Sequence, residues 1–339
     1  MSDILLGKPE RPDNSDCCNT GCNPCVFDLY EKHIKEWQQR LNQNATDNKR
    51  FDLLSDTKFK PFTLITKEKH TGQNIYLFKF QPFIETDSLD KNNINDQTKE
   101  RKYSGFLPYR IGQHIIIKGY ENCDKQDKCS DCEENLISHS EIHQHCFSRA
   151  YSPITISSEM PNCSFEIIVK LYSDGKMSRY FASLKPGSIV QCRGPYGNFV
   201  YEANKFSHLL LLCMGTGIAP IYPIIKNIVN NDDDETFVHL MYGVKTINDI
   251  ILRDELRKFT AYWNFKEEIF ISQNNNDEEP KFGETFNYNK IIDFAILDYL
   301  NGKNIDKIQI LICGSDLFSS YMEKCVLDLS FNKNNIFIF

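Results

Sequence analysis

Four stretches of this chain hold residues whose types and spacing can do chemistry. The first is Arg149-Ala150-Tyr151-Ser152-Pro153. In an extended segment side chains alternate between faces, so a guanidinium, an aromatic ring and a hydroxyl can serve one flat, phosphate-bearing ligand. The second is Gly215-Thr216-Gly217-Ile218-Ala219-Pro220, which follows the apolar run 208–214 and precedes an apolar-periodic stretch, 221–229. Glycine lets a phosphate approach the backbone, and a helix start offers free N–H groups and a positive dipole. Pro220 separates this stretch from the G-x-G-x-x-G fingerprint. The third, Gly175-Lys176-Met177-Ser178, opens a short helical pattern and can either hold a phosphate or cap the helix. The fourth is Cys313-Gly314, which closes the apolar run 308–313. The C-terminal ends of parallel strands are where open sheets bind ligands. A cysteine there is either a small buried apolar side chain or a contact for a planar ring.

Two cysteine-rich groups stand apart from these. Cys17, Cys18, Cys22 and Cys25 fall within nine residues, with Gly21 and Pro24 supplying turns between them. Their thiolates can converge on a tetrahedral metal or anchor an iron–sulfur cluster. The competing reading is a small cysteine knuckle packed on the body. Cys123, Cys129, Cys132, His139, His143, His145 and Cys146 form the second group. Zinc takes such ligands, but the spacing matches no finger pattern, and acidic filler reads better as a solvent-exposed insertion between strands.

The elements that must position these residues come from periodicity. Residues 1–16 are polar, carry Pro9 and Pro12, and read as a disordered tail. A helical stripe follows Cys25. Period-two alternation begins near Phe59 and runs through 62–66, 75–80, 112–118, 164–172 and 189–193, which predicts an antiparallel barrel. From His208 strands alternate with helices: strands at 208–214, 237–243, 270–272, 308–313 and 336–339, and a helix carrying Ile250, Leu252 and Leu256. That alternation predicts a parallel sheet with helices on both faces. The chain divides into a cysteine-rich segment and linker (1–50), a barrel (51–204, with an insertion at about 119–148) and an α/β region (205–339). The net charge of -7 argues against a general nucleic-acid binder. No signal-like segment and no membrane-span-length apolar run is present, so the expectation is an intracellular protein, cytoplasmic or attached to a membrane or organelle, with reduced thiols.

The order of the pieces resembles the ferredoxin–NADP reductase superfamily, and within it the NADH–cytochrome b5 reductase family. The resemblance runs from about Phe59 to Phe339 and rests on residues 112–115, 149–153, 167–172, 175–180, 193–197, 214–220, 248–256, 312–314 and the aromatic stretch 337–339. Residues 15–40 also resemble a short oxidoreductase-like N-terminal domain. The resemblance implies a FAD-dependent NAD(P)H reductase that passes a hydride from NADH to FAD and single electrons to cytochrome b5 or a similar acceptor. NADPH is left open, since Ser272–Asn276 holds neither an acid for a ribose hydroxyl nor an arginine for a 2′-phosphate.

It also implies roles. Arg149 would meet the FAD pyrophosphate, Tyr151 would pack on the flavin, and Ser152, beside Pro153, would bond near flavin N5. Ile168, Lys170 and Tyr172 would line the flavin. Gly175, Lys176, Met177 and Ser178 would hold the diphosphate. Gly215, Thr216, Gly217 and Pro220 would take the dinucleotide pyrophosphate. Cys313, with Gly314, would meet the nicotinamide, and Phe339 would lie near the flavin ring. Ser152 and Cys313 are the implied catalytic pair. Met214 and Ala219 depart from the glycine and threonine of relatives, which supports the alternative of a non-catalytic or metal-binding protein on the same fold. An acidic haem partner would call for a basic patch, for which Lys118, Lys170, Lys176, Arg179 and Arg193 are the candidates.

Overall fold

The computed structural model describes residues 11–12, 16, 25–43, 53–70, 74–83, 107–122, 144–160, 162–273, 279–291 and 293–339. The helical stripe after Cys25 forms α1 (Val26–Gln43). The alternating stretches form an antiparallel sheet: β1 (Lys60–Lys69), β2 (Ile75–Pro82), β3 (His114–Asn122), β4 (Gln144–Tyr151), β5 (Phe165–Lys170) and β6 (Ile189–Tyr196). Its order is β4-β3-β6-β1-β2-β5. Alternate residues such as Phe62, Leu64, Phe78 and Ile117 are fully buried in one core. β1 carries a register shift between Leu64 and Thr66 against β2, and Ile65 beside it is 39% exposed. A bulge of this kind bends a strand and so helps curl the sheet.

One end of that core is plugged by α2 (Lys176–Ser183). Its Phe181 meets Phe78 edge-on at 4.8 Å. Lys67 Nζ donates to the carbonyls of Phe181 (3.0 Å), Ala182 (2.7 Å) and Leu184 (3.1 Å), satisfying acceptors that the end of a helix leaves open.

The second sheet is built from β7 (His208–Met214), β8 (Phe237–Val244), β9 (Phe265–Ile271), β10 (Phe286–Asn287), β11 (Ile308–Cys313) and β12 (Ile336–Ile338). All its pairings are parallel, in the order β10-β9-β8-β7-β11-β12. The uninterrupted apolar run of β7 is explained by burial on both faces. Leu209, Leu211 and Cys213 pack with α3 (Ile218–Val229) and α4 (Arg253–Phe259), whereas Leu210 and Leu212 pack with α5 (Asp293–Leu300) and α6 (Asp316–Asp328). The first of these cores also takes in Ile75, Ile154, Ile168 and Phe199 from the barrel half, so barrel and sheet share it. Lys226 pairs with Glu159 and Leu252 N donates to His70 Nε2 at 3.3 Å across the same boundary.

Several expectations need correction. The third parallel strand spans Phe265–Ile271 instead of 270–272. α3 starts at Ile218, ahead of 221. The helix expected around Ile250 starts only at Arg253, because Leu252 takes a left-handed conformation (φ 58°) and turns the chain. β3 and β4 reach to Asn122 and back to Gln144, so both ends of the expected 119–148 insertion are strand. Residues 1–16 are not wholly a free tail: Pro12 and Asp16 are buried. Among the described residues, no helix is long and apolar enough to cross a membrane.

Candidate functional site

The end of β4 delivers the first group of residues. Arg149 is exposed, and its Nη1 donates to the carbonyl of Ser148 at 2.8 Å. Tyr151 is half-buried with its ring 5.2 Å from Phe181, and burial pushes its hydroxyl well above the usual phenol range. Ser152 is half-buried and Pro153 buried. The chain then runs beside β5: Ile154 N donates to the Glu166 carbonyl at 2.9 Å, and Glu166 N donates to Thr155 Oγ1. This pairing brings Tyr151 and Ser152 towards Ile168, which is buried, and Lys170, which is half-buried.

Beyond β5, Tyr172 is 62% exposed, and Lys170 Nζ lies 6.0 Å from the centre of its ring. Tyr172 N donates to Ser178 Oγ at 2.9 Å, folding the loop onto the first turn of α2. A Cβ on Gly175 would lie 2.9 Å from that same hydroxyl oxygen, so a side chain there would push the Ser178 hydroxyl off this bond. Lys176 is exposed there, while Met177 and Ser178 are buried.

The second group lies at the C-terminal edge of the parallel sheet. Gly215–Gly217 is a single tight turn that leads into α3. Gly215 has φ +56°, and a Cβ there would meet nothing within 4 Å. Space of this kind, next to a helix start, suits a phosphate. Gly217 is constrained differently: its Cβ would lie 2.3 Å from the Cys313 carbonyl oxygen. The turn therefore sits directly on the end of β11. Pro220 occupies the first turn of α3, where a missing N–H costs nothing. Thr216 is half-buried, Met214 is 37% exposed, and Gly314 lies close to both Met214 Cβ and Phe318. Burial pushes the Cys313 thiol up to about 12, so at neutral pH it is a neutral thiol and not a thiolate.

The two groups meet. β5 touches the Gly215–Gly217 turn. Phe339 N donates to the Ile312 carbonyl at 3.0 Å, and the Phe339 ring is 5.2 Å from Phe199 of the barrel half. The end of β5, the glycine turn, the Cys313-Gly314 strand end and Phe339 thus lie where the barrel half meets the parallel sheet.

Other expected residues fall elsewhere. Cys17, Cys18 and Cys22 lie outside the described residues, as do Cys123, Cys129, Cys132, His139 and His143. Cys25 is half-buried just before α1, where its N–H donates to Asp28 Oδ2 at 2.9 Å. Among the described residues no cluster of three or more His, Cys, Asp or Glu could hold a metal. The basic patch also shrinks. Arg193 is 2% exposed and paired with Asp16, and Arg179 is paired with Glu121 at 2.6 Å. Lys118 is half-buried with its Nζ 5.2 Å from the Phe59 ring. Lys170 and Lys176 remain.

No pattern in the sequence singles out Tyr242. It is fully buried, donates to the Gly215 carbonyl at 2.9 Å and accepts from Ile251 N at 3.3 Å, which ties the turn to the loop before α4. Inside the apolar run of β8 it reads as one more core aromatic.

Three family models match the chain. An oxidoreductase FAD-binding domain covers residues 134–201, an oxidoreductase NAD-binding domain covers 211–324, and the N-terminal part of an oxidoreductase-like protein covers 5–46. An NADH-cytochrome b5 reductase-like protein of Mus musculus is 29% identical over 98% of this chain and 95% of its own length. NADH-cytochrome b5 reductase 1 of Lodderomyces elongisporus is 32% identical over 81% of this chain and 76% of its own length. Among solved structures, the cytochrome b5 reductase domain of Ulva prolifera nitrate reductase shares the fold with a TM-score of 0.62 at 20% identity, over 85% of this chain and 99% of that one.

Barrel, sheet and matched models together define a flavoprotein oxidoreductase with FAD- and NAD-binding domains. The chain belongs to the NADH–cytochrome b5 reductase family.

Proposed function

We propose that this protein uses the groove between barrel and sheet to carry electrons from NADH, through FAD, to a one-electron haem acceptor of the cytochrome b5 kind. The observation that carries the reading is the junction of β5 with the glycine turn and the Cys313-Gly314 strand end. The contact of a barrel strand with a dinucleotide-type turn supports a FAD site and an NADH site side by side.

The residues fit the two ligands. The open space at Gly215 and the start of α3 suit the NADH pyrophosphate, with Thr216, Gly217 and Pro220 shaping the turn. The exposed Arg149 and Lys176, with the first turn of α2 (Gly175, Met177, Ser178), suit the FAD pyrophosphate. When bound, FAD supplies the two-electron to one-electron conversion. The chain supplies position. Tyr151, Ile168, Lys170 and the exposed ring of Tyr172 wall the flavin, and the Ser152 hydroxyl hydrogen-bonds at its reactive edge. The neutral Cys313 thiol and Gly314 give the nicotinamide an uncharged seat, and Phe339 closes the groove against water. Lys170 and Lys176 offer positive charge to an acidic haem partner.

Purified protein should show flavin absorbance that bleaches with NADH under argon and recovers on mixing with oxidised cytochrome b5. NADPH tested in the same assay decides the donor. Absence of flavin after reconstitution would refute the reading. Bound flavin that NADH cannot bleach supports instead a non-catalytic binding protein, a role that the exposed Met214 beside Gly215 and Gly314 favours. A metal or iron–sulfur centre at Cys17, Cys18, Cys22 and Cys25 is proposed from their spacing alone. Metal analysis after anaerobic purification tests it.

A further inference from the structure

The N-terminal segment reaches the body of the protein at Asp16, the residue immediately before the Cys17-Cys18 pair. Asp16 is 4% exposed. Its Oδ1 accepts from Ser148 Oγ at 3.0 Å, and its Oδ2 lies 3.1 Å from Arg193 Nη2. Arg193 is 2% exposed, with its guanidinium carbon 4.5 Å from the centre of the Phe59 ring. Pro12 is buried as well. A guanidinium taken this far out of water needs a counter-charge, since removing one partner of a buried pair is strongly destabilising. Here a segment distant in sequence supplies the carboxylate.

The location gives this pair a consequence beyond packing. Ser148 belongs to β4 and Arg193 to β6, with β3 lying between them. One carboxylate therefore spans three strands. β4 is an edge of its sheet, hydrogen-bonded to β3 alone, so its other side is held by no neighbouring strand of that sheet. This same strand carries Arg149 and Tyr151. Ser148 and Arg149 point to opposite faces, as neighbours in a strand do. The two are nevertheless joined directly, because Arg149 Nη1 donates to the Ser148 carbonyl at 2.8 Å. Asp16 grips the outer side of the residue whose backbone steers Arg149 on the other.

We infer that Asp16 is a positioning residue for the flavin seat, a clamp that holds edge strand β4, and through it Arg149, in place for the FAD pyrophosphate. The inference rests on the reading of Arg149 given above. Asp16 lies within the segment matched as oxidoreductase-like, so that match includes a residue bonded to the barrel.

The test is a double-mutant cycle on full-length protein. FAD affinity is measured by titrating apoprotein and following flavin fluorescence, well below the melting temperature of every variant. Asp16→Asn should weaken FAD binding by about tenfold, as expected for removing the charge opposite buried Arg193, and Ser148→Ala by a smaller factor, as expected for losing one hydrogen bond to the carboxylate. In an Arg149→Ala background both effects should vanish, because residues acting through one another are not additive. A purely structural role would lower the melting temperature equally in both backgrounds and leave that coupling absent. FAD affinity unchanged by Asp16→Asn and Ser148→Ala overturns the clamp. So does an equal loss in the Arg149→Ala background. If Asp16→Asn fails to fold, the Ser148→Ala arm decides by the same criteria. Wild-type protein that binds no FAD overturns the functional reading itself, a result distinguishable from failure of the clamp alone.

Discussion

Glu267 illustrates how much a single residue can carry. It is 2% exposed, and neither carboxylate oxygen has a hydrogen-bond partner among the described residues. Burial, and then the charge of Glu284, push its pKa up to about 8. The folded value thus lies above the unfolded one of about 4.3. The folded protein holds the extra proton, so the stability it confers is complete below the unfolded value and is lost as pH rises through about 8. Glu267→Gln keeps the shape without the titration. Its urea midpoint should gain on that of the wild type between pH 6 and about pH 8 and level off above. A constant gap would show that Glu267 does not titrate there.

The glycines of the turn should also separate by residue. Gly215→Ala places a Cβ in open space at positive φ, costing about 1 kcal/mol of strain. Its main effect should be a raised KM for NADH. Gly217→Ala drives a Cβ into the Cys313 carbonyl, and overpacking of that kind costs about 1–3 kcal/mol. Calorimetry should show the larger loss in Gly217→Ala. These glycines were legible because their type and placement state a need. Asp16 was not, because an acid in a polar tail has no local signature and its Ser148 partner is 132 residues away.

At the scale of elements, periodicity was a reliable guide wherever both faces of a strand are apolar, as in β7 and β11. It failed at the start of β9, where Lys266, Glu267 and Glu268 disguise a strand as a loop. It misplaced α4 because nothing in the side chain of Leu252 announces a left-handed backbone. The barrel strands were legible from alternation. The meeting of the two halves was not, because it depends on the Ile154–Glu166 hydrogen bond and on how β5 meets the glycine turn. One element carries a correctable strain. α6 ends at Asp328, Leu329 caps it, and exposed Ser330 follows with φ 65°, the position at which helices favour glycine. Ser330→Gly should stabilise the protein by about 1 kcal/mol, visible as a small upward shift in melting temperature. A downward shift would mean that the serine makes a contact worth more than its strain.

Across the whole molecule, the shared core sets the behaviour. Phe199 comes from the barrel half, is 3% exposed and lies 5.0 Å from Phe337 and 5.2 Å from Phe339. Truncating a buried phenylalanine costs about 3–5 kcal/mol. Because this one joins two sheets, Phe199→Ala should do more than lower the melting temperature. Calorimetry of the wild type should show one transition, and the variant should show two as barrel and sheet uncouple. A single transition in the variant would show that the remaining contacts suffice. The division into barrel and parallel sheet was legible from the change of pattern at His208. Their common core was not, because a residue such as Ile168 looks the same whether it faces its own half or the other.

The shared core also bears on how the protein is made. Ile75, Ile154, Ile168 and Phe199 have emerged from the ribosome well before Leu311, the last fully buried residue of the core they join. At about 5–20 residues per second, roughly 5–20 s separates Phe199 from Leu311. Until the strands and helices between Leu209 and Leu311 have emerged, the nascent barrel presents an incompletely covered apolar side, a surface for a chaperone. Slowing translation after His208 should therefore lower the soluble yield, and extra chaperone should restore it.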